Sequence, residues 1–371
     1  MQTCRFVELV RISFKTLLLL AACAILGLRA EAQVRPEPAQ LRVEFPRARP
    51  LPEGPDTLNV IVIGDVMMHS KQLDHDQEYF LRYIEPHMQK ASFCIANLEF
   101  SLGGPPYTGY PAFSTPDDYP EYIARCGTDI FLLANNHILD RGTTGLKRTI
   151  KVYDKLADSL GIRYTGIGNE PLIIRRRGLC IGLVNFTYGT NMAPESATPD
   201  VLRMRRDDVK QSINKAREAG ADYIVALPHW GNEYVLTHSS NQEYWANWLV
   251  DQGCCCVVGA HPHVVQDSTH IKGVPVIYSM GNAVSNMSLE NTRLELAVTL
   301  RFVRDQITGQ SRMLEPKLEF MWCTLPGRLT ESYATIIVDE WLDRRDDWLM
   351  PSDYDNMTAT LERVKAATGI K

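Results

Sequence analysis

The stretch "CCCVVGAHPHVVQ" (Cys254–Gln266) decides how the rest of the chain reads. An apolar, β-branched-rich run stops at Gly259-Ala260 and hands over to His261 and His263, held two apart across Pro262. Proline fixes its own φ and narrows that of the residue before it. A rigid imidazole pair placed where a buried run ends suggests two rings aimed at one small object.

Working outward, the same texture recurs. "NVIVIGDV" (59–66), "SFCIANLE" (92–99), "DIFLLANN" (129–136), "CIGLVNFTY" (180–188), "DYIVALPHW" (222–230) and "PVIYSMGN" (275–282) are short runs, mostly apolar on both faces. Helix-like segments separate several of them: Glu78 to Met88, Tyr119 to Cys126, Gly145 to Leu160, Asp207 to Ala219 and Glu243 to Gln252. Strands buried on both faces and alternating with helices predict a layered α/β domain, a central β-sheet flanked by helices. Beyond Glu290 the pattern changes: "LELAVTLRFV" (294–303), a turn at "DQITGQ", then "KLEFMWCTL" (317–325) read as an antiparallel hairpin or sheet edge, which makes the sheet mixed. A helical tail over Asn356 to Ala367 closes the chain.

The polar residues that follow each run carry the functional reading. Asp65 follows the first; Asn97 and Glu99 the second; Asn135, Asn136 and His137 the third; then come His229, the pair His261 and His263, and Asn282. In an open α/β sheet, ligands bind beyond the carboxyl ends of the strands. Each residue alone has a structural use, as a cap, a turn former or a core histidine. Together they are the donor set of a hydrolytic site using one or two divalent ions, Mn, Zn or Fe. His69, four residues after Asp65, reaches the same crevice if the chain turns there, whereas His75, His87, His238 and His270 lie off the strand ends and read as surface residues.

Composition bounds the rest. The chain has 371 residues, 45% apolar, with a formal net charge of -5. That supports a full core and shows no basic stripe of the kind a nucleic-acid partner requires. Arg5, Arg11 and Lys15 precede the apolar run "TLLLLAACAILGL" and then Ala30-Glu31-Ala32, an export signal over 1–32 with cleavage before Gln33. Leu20-Ala21-Ala22-Cys23 is the rival ending, with lipid on Cys23. Either way the expected location is outside the cytoplasm, in a periplasm or cell envelope. Residues 33–57 are proline- and charge-rich and read as a linker or surface arm, 58–305 as the main domain, and 306–371 as a hairpin and helical extension packed on it. The cysteines Cys94, Cys126, Cys180, Cys254, Cys255, Cys256 and Cys323 lack C-x-x-C spacing and read as buried small hydrophobes.

Six motifs, taken in order, resemble the CapA family of capsule and poly-γ-glutamate synthesis proteins: "IGDVMMH" (63–69), "ANLE" (96–99), "ANNHILDRG" (134–142), "PHWGNEY" (228–234), "GAHPHVVQ" (259–266) and "YSMGN" (278–282). The resemblance implies a calcineurin-like metallophosphatase fold and metal-assisted hydrolysis or transfer. It implies Asp65 and His263 on a first ion, Asn136, His229 and His261 on a second, Glu99 as the bridging carboxylate, and His137 as proton donor beside the leaving group. Two departures stand out. Met67 occupies the place of the usual histidine after Asp65, so His69 substitutes or the first ion has one ligand fewer. Ile138 replaces the usual acid after the Asn-His pair, so Asp140 is the candidate orienter of His137, with Glu233 in a similar role for the other histidines. Asn97, Trp230, Tyr234 and Asn282 are the expected substrate contacts. The implied substrate is an anionic envelope polymer or a phosphorylated precursor, and the implied partners are capsule synthesis or export membrane proteins. Arg175 to Arg177 offer either extra positive charge or a solvated turn.

Overall fold

The computed structural model describes residues 57–193, 200–305 and 307–371. The expected export signal and all of the 33–57 arm except Thr57 lie outside the described residues. The strands are β1 (Thr57–Val66), β2 (Phe93–Leu98), β3 (Ile130–Leu132), β4 (Arg163–Thr165), β5 (Leu172–Arg176), β6 (Leu179–Thr187), β7 (Tyr223–His229), β8 (Cys256–Val258), β9 (Ser268–Ile271), β10 (Val274–Ile277), β11 (Leu294–Arg304), β12 (Ser311–Thr324) and β13 (Ala334–Ile337). The α-helices are α1 (Glu85–Lys90), α2 (Asp118–Arg125), α3 (Gly142–Leu160), α4 (Arg206–Glu218), α5 (Ser240–Asp251) and α6 (Pro351–Thr368). Among the described residues no helix is long and apolar enough to cross a membrane.

The central layer is two mixed sheets, not one. A seven-stranded sheet runs β13-β12-β11-β1-β2-β3-β4, and a six-stranded sheet runs β5-β6-β7-β8-β10-β9. Side chains alternate faces along a strand, and the runs use both. Leu58, Val60 and Val62 of β1 share one core with Ile181 and Leu183 of β6 and Val225 and Leu227 of β7, which fills the space between the sheets. The opposite face of the first sheet packs Ile63 and Phe131 against Ile123 of α2 and Leu146, Tyr153 and Leu156 of α3. The opposite face of the second packs Val184, Phe186, Ile224 and Ala226 against Val209 and Ile213 of α4 and Trp245 and Leu249 of α5. The layers are helix, sheet, sheet, helix. An apolar run reports that both faces are covered, but not whether helix or sheet covers them, and a single central sheet was therefore the simpler expectation.

Local signals set the helix ends. Ser239 caps α5 by accepting from the Gln242 N–H, while the Gln242 side chain reaches back to the Ser239 N–H. Gly161, with φ of 71°, ends α3 in the left-handed conformation that glycine tolerates best. The expected helix over Glu78 to Met88 is shorter, with α1 beginning only at Glu85.

The C-terminal region is built into the first sheet. β11 pairs antiparallel with β1 on one side and β12 on the other, so a boundary at 305/306 falls in the turn of one hairpin. Helix α6 lays Met357, Leu361 and Val364 on the core that includes Phe320 and Trp322. Asp353 of α6 accepts two hydrogen bonds from Arg293, at 2.7 and 2.6 Å, and the guanidinium lies 4.3 Å from the centre of the Trp322 ring. All seven cysteines among the described residues are free, and Cys254 and Cys256 belong to different core clusters.

Candidate metal centre

Strand direction gathers the polar residues. β1, β2, β3 and β4 are mutually parallel, and so are β6, β7, β8 and β10. Their carboxyl ends therefore deliver Asp65, Glu99, Asn136 and His137 from the first sheet, and His229, His261, His263 and Asn282 from the second. The two sheets meet closely at this edge. Gly64 stands where a Cβ would lie 2.1 Å from the Gly281 carbonyl oxygen, and the Asp65 N–H donates to that oxygen at 3.0 Å.

All eight residues are buried. Two sets of donor atoms gather within 4.8 Å of one another: Asp65, Glu99 and His229, and Glu99, His261 and His263. Glu99 belongs to both. Its carboxylate oxygens lie 3.5 Å from His229 Nε2, 3.8 Å from His263 Nδ1 and 4.0 Å from His137 Nε2. Neither oxygen has a hydrogen-bond partner. A buried carboxylate without hydrogen bonds costs several kcal/mol, ~2–7 even for a neutral polar group, so the arrangement calls for a cation. Donors bound at ~2.0–2.2 Å stand roughly 2.8–3.6 Å from one another in octahedral or tetrahedral geometry, and the 3.5 and 3.8 Å spacings of His229 and His263 from Glu99 lie at or just above that range. The residues fit one or two divalent ions. The donor sets put His229 beside Asp65 and His263 beside His261, next to the expected pairing of Asp65 with His263. His263 also stays near Asp65, with Nδ1 3.5 Å from Oδ2.

Neighbouring amides aim these ligands. Asn97 Nδ2 donates to Asp65 Oδ1 at 2.6 Å and lies 3.2 Å from His229 Nδ1. Asn136 Oδ1 is 2.7 Å from His229 Nε2. Asn282 Oδ1 is 2.9 Å from His263 Nδ1. The His261 backbone N–H donates to Asp65 Oδ2 at 3.1 Å. His261 and His263 have φ of 98° and 59°, sparsely populated for non-glycine residues and held here by the surrounding packing. That is how a loop pins both rings on the site. His261 Nδ1 is buried without a partner.

Charge follows from this geometry. Burial opposes ionisation of Asp65, but the His263 hydrogen bond and the nearby His229 lower its pKa below the usual carboxylate value. Burial likewise opposes charge on His263, yet Glu99, Asp65 and Asn282 raise it to about 9. His261 is held well below an ordinary histidine by burial and by the neighbouring rings of His229 and His263. His137 Nδ1 lies 2.6 Å from Asp140 Oδ2, and Asp140 also accepts the Phe113 N–H at 2.8 Å. Burial alone would lower the His137 pKa; the Asp140 hydrogen bond and Glu99 outweigh it and raise it.

Five residues stand differently from the expected roles. His69 falls in neither donor set: its Nδ1 lies 3.1 Å from Gln72 Oε1 and accepts the Asn286 N–H at 3.3 Å, so the ring heads a 3-10 turn. Asn97 and Asn282, expected as substrate contacts, are buried and hydrogen-bonded to Asp65 and beside His263 respectively. Trp230 is fully buried, donates to the Tyr278 carbonyl at 2.9 Å and belongs to the core beneath α5. Glu233 is exposed and hydrogen-bonds the Tyr234 side chain instead of a histidine. Tyr234 does stand at the mouth, its ring 6.0 Å from His263. Arg175 and Arg176 donate to the Ala219 and Ser92 carbonyls, and Arg177 to that of Thr57, at the end of the strands remote from the site. Three residues the sequence did not signal are also present. Tyr188 packs on His261 with ring centres 4.6 Å apart, Tyr110 is 6.4 Å from His137, and Asn191 Nδ2 is 3.2 Å from His137 Nδ1. Tyr188 ends the run before β6's loop, so the strand-end rule would have found it had that run been read like the others.

The chain is similar to several known proteins. The family model described as bacterial capsule synthesis protein PGA_cap matches residues 59–287. The capsule biosynthesis protein CapA of Bacillus anthracis is 28% identical over 275 residues, covering 68% of this chain and 66% of that protein. The PGA biosynthesis protein CapA of Bacillus subtilis (strain 168) is 26% identical over 256 residues, covering 64% and 66% respectively. The matched stretch thus spans just under two thirds of each relative's own length. Among solved structures, the calcineurin-like phosphoesterase YfkN from Bacillus subtilis aligns with a TM-score of 0.46 at 14% identity, over 83% of this chain and 99% of that one.

Proposed function

The chain belongs to the bacterial capsule synthesis protein family PGA_cap, and from that premise we propose that it is an exported, metal-dependent hydrolase or transferase of the phosphoesterase type, working in capsule or poly-γ-glutamate biosynthesis. The observation that carries this reading is Glu99, a buried carboxylate with both oxygens unpartnered at the junction of two donor sets. Asp65, Glu99 and His229 would hold one divalent ion (Mn, Zn or Fe), and Glu99, His261 and His263 a second. Bound there, such ions would polarise a phosphoryl oxygen and lower the pKa of water to about 7.

The chain's own residues do the rest. Asp140 takes the Nδ1 side of His137, which leaves Nε2 directed toward Glu99 and the centre. Asp140 and Glu99 raise its pKa, which favours the protonated ring that can give a proton to a departing oxygen. Asn97 and Asn282 fix the ligands' aim, as groups hydrogen-bonded to metal ligands commonly do, while Asn136, its Oδ1 beside His229 Nε2, would be a further ligand. The expected substrate is an anionic envelope polymer or its phosphorylated precursor, with capsule synthesis or export membrane proteins as partners. Export rests on the signal-like features of residues 1–32.

The test is metal analysis of protein purified without chelator, alongside turnover of bis(p-nitrophenyl) phosphate and poly-γ-glutamate by the wild type, His261→Ala and His137→Ala. His261→Ala should lose metal and turnover together; His137→Ala should keep metal and lose turnover by about 10²–10⁴-fold. A wild type that binds metal but turns over neither compound would make the chain a polymer-binding or export subunit instead.

A further inference from the structure

Three exposed tyrosines surround the mouth of the centre. Tyr110, Tyr188 and Tyr234 are 72%, 47% and 49% exposed. Each stands against a different histidine: Tyr188 against His261 at 4.6 Å, Tyr234 against His263 at 6.0 Å and Tyr110 against His137 at 6.4 Å. They come from three distant loops, so no local motif places them together. Tyr234 is held at φ of 66°, a conformation non-glycine residues rarely adopt, and its N–H donates to the Pro262 carbonyl at 2.8 Å inside the His-Pro-His loop. Exposed aromatic rings gathered beside buried polar side chains mark a ligand-binding rim.

The charge beside this rim narrows the ligand. The exposed Glu233 carboxylate hydrogen-bonds the Tyr234 side chain and lies within electrostatic reach of Tyr188. Tyr110 lies within electrostatic reach of Tyr234. A carboxylate among aromatic rings is poorly matched to a polyanionic chain, because like charges oppose docking. It suits a polyhydroxylated ring. The electron-rich face of tyrosine attracts the polarised C–H groups on the apolar face of a pyranose, while the carboxylate accepts its hydroxyls.

Resting on the reading of the centre as a phosphoesterase-type site, we infer that Tyr110, Tyr188 and Tyr234 form a collar that seats a pyranose ring, so that the group processed at the centre is a phosphoester of a sugar.

The test reads the collar apart from the chemistry. Saturation-transfer NMR is run on the protein as purified with neutral methyl pyranosides (gluco, galacto and N-acetylglucosamine), with adenosine, and with a poly-γ-glutamate oligomer. At least one pyranoside should receive saturation on its axial hydrogens. The signal should fall about ten-fold in Tyr188→Ala/Tyr234→Ala, which removes two aromatic contacts, and persist in Tyr188→Phe/Tyr234→Phe. The inference is overturned if no pyranoside receives saturation, if the alanine pair leaves the signal unchanged, or if adenosine or the glutamate oligomer gives the stronger tyrosine-dependent signal. Metal content and phosphodiester turnover are measured on the same samples. Their absence with sugar binding intact removes the catalytic reading and leaves the collar standing; the converse removes only the collar.

Discussion

Raising the pH of the metal-free protein should weaken it through one identifiable ring. His263 is buried beside Glu99, Asp65 and Asn282, which lift its pKa from 6.5 to about 9. Below pH 6.5 the folded and unfolded chains both carry the proton, and the favourable contacts of the imidazolium count in full. Between 6.5 and 9 the folded chain keeps a proton that the unfolded chain has released, so this stabilisation drains away as pH rises. The span corresponds to about 3 kcal/mol. His137, also raised, adds to the fall. His69, lowered to about 4, and His261, also lowered by burial, act only below pH 6.5, where acid works against them. Urea denaturation in chelator at intervals from pH 6.5 to 9 should show the decline. His263→Asn, which keeps an amide donor toward Asn282 without titrating, should flatten most of it. Saturating metal should do the same, because coordination requires the unprotonated ring, and should add about 2.7 kcal/mol when the free ion is a hundred times its Kd. A flat profile in chelator, or an equal slope in His263→Asn, would refute the reasoning.

Other outcomes follow from single contacts. Asp353→Ala strands the Arg293 guanidinium in the core and should cost about 3–5 kcal/mol in urea unfolding. Asn282→Ala releases His263 and should weaken metal affinity by about 10–100-fold, read by competition with a chromogenic chelator. Gly64→Ala drives a methyl against the Gly281 carbonyl and should lower stability by about 1–3 kcal/mol in thermal unfolding, with metal loading impaired in parallel.

Much of the centre was legible because a simple rule applies. Parallel strands end on the same side, so the residue after each apolar run is placed by the run itself, whatever the long-range fold. That rule located Asp65, Glu99, Asn136, His137, His229, His261 and His263. It says nothing of direction once the strand has ended. Trp230 follows His229 immediately but turns into the core beneath α5, and Glu233, three residues later, is already in solvent. His69 looked close to Asp65 along the chain, yet a 3-10 turn takes up its Nδ1. The second sheet was hidden for a related reason: β-branched runs covered by helix and by sheet have the same composition.

The origin of the donors in two separate sheets has a mechanical consequence. Asp65 and Glu99 ride on one slab, while His229, His261 and His263 ride on the other. Sliding one slab past its partner by a single residue would displace the donors by about 3.3 Å, whereas coordination tolerates about 0.2 Å. The greasy seam of Val60, Val62, Leu183 and Val225 is therefore the instrument's alignment rail, and trimming a methyl there would be felt as lost focus at an edge that the trimmed residue never reaches.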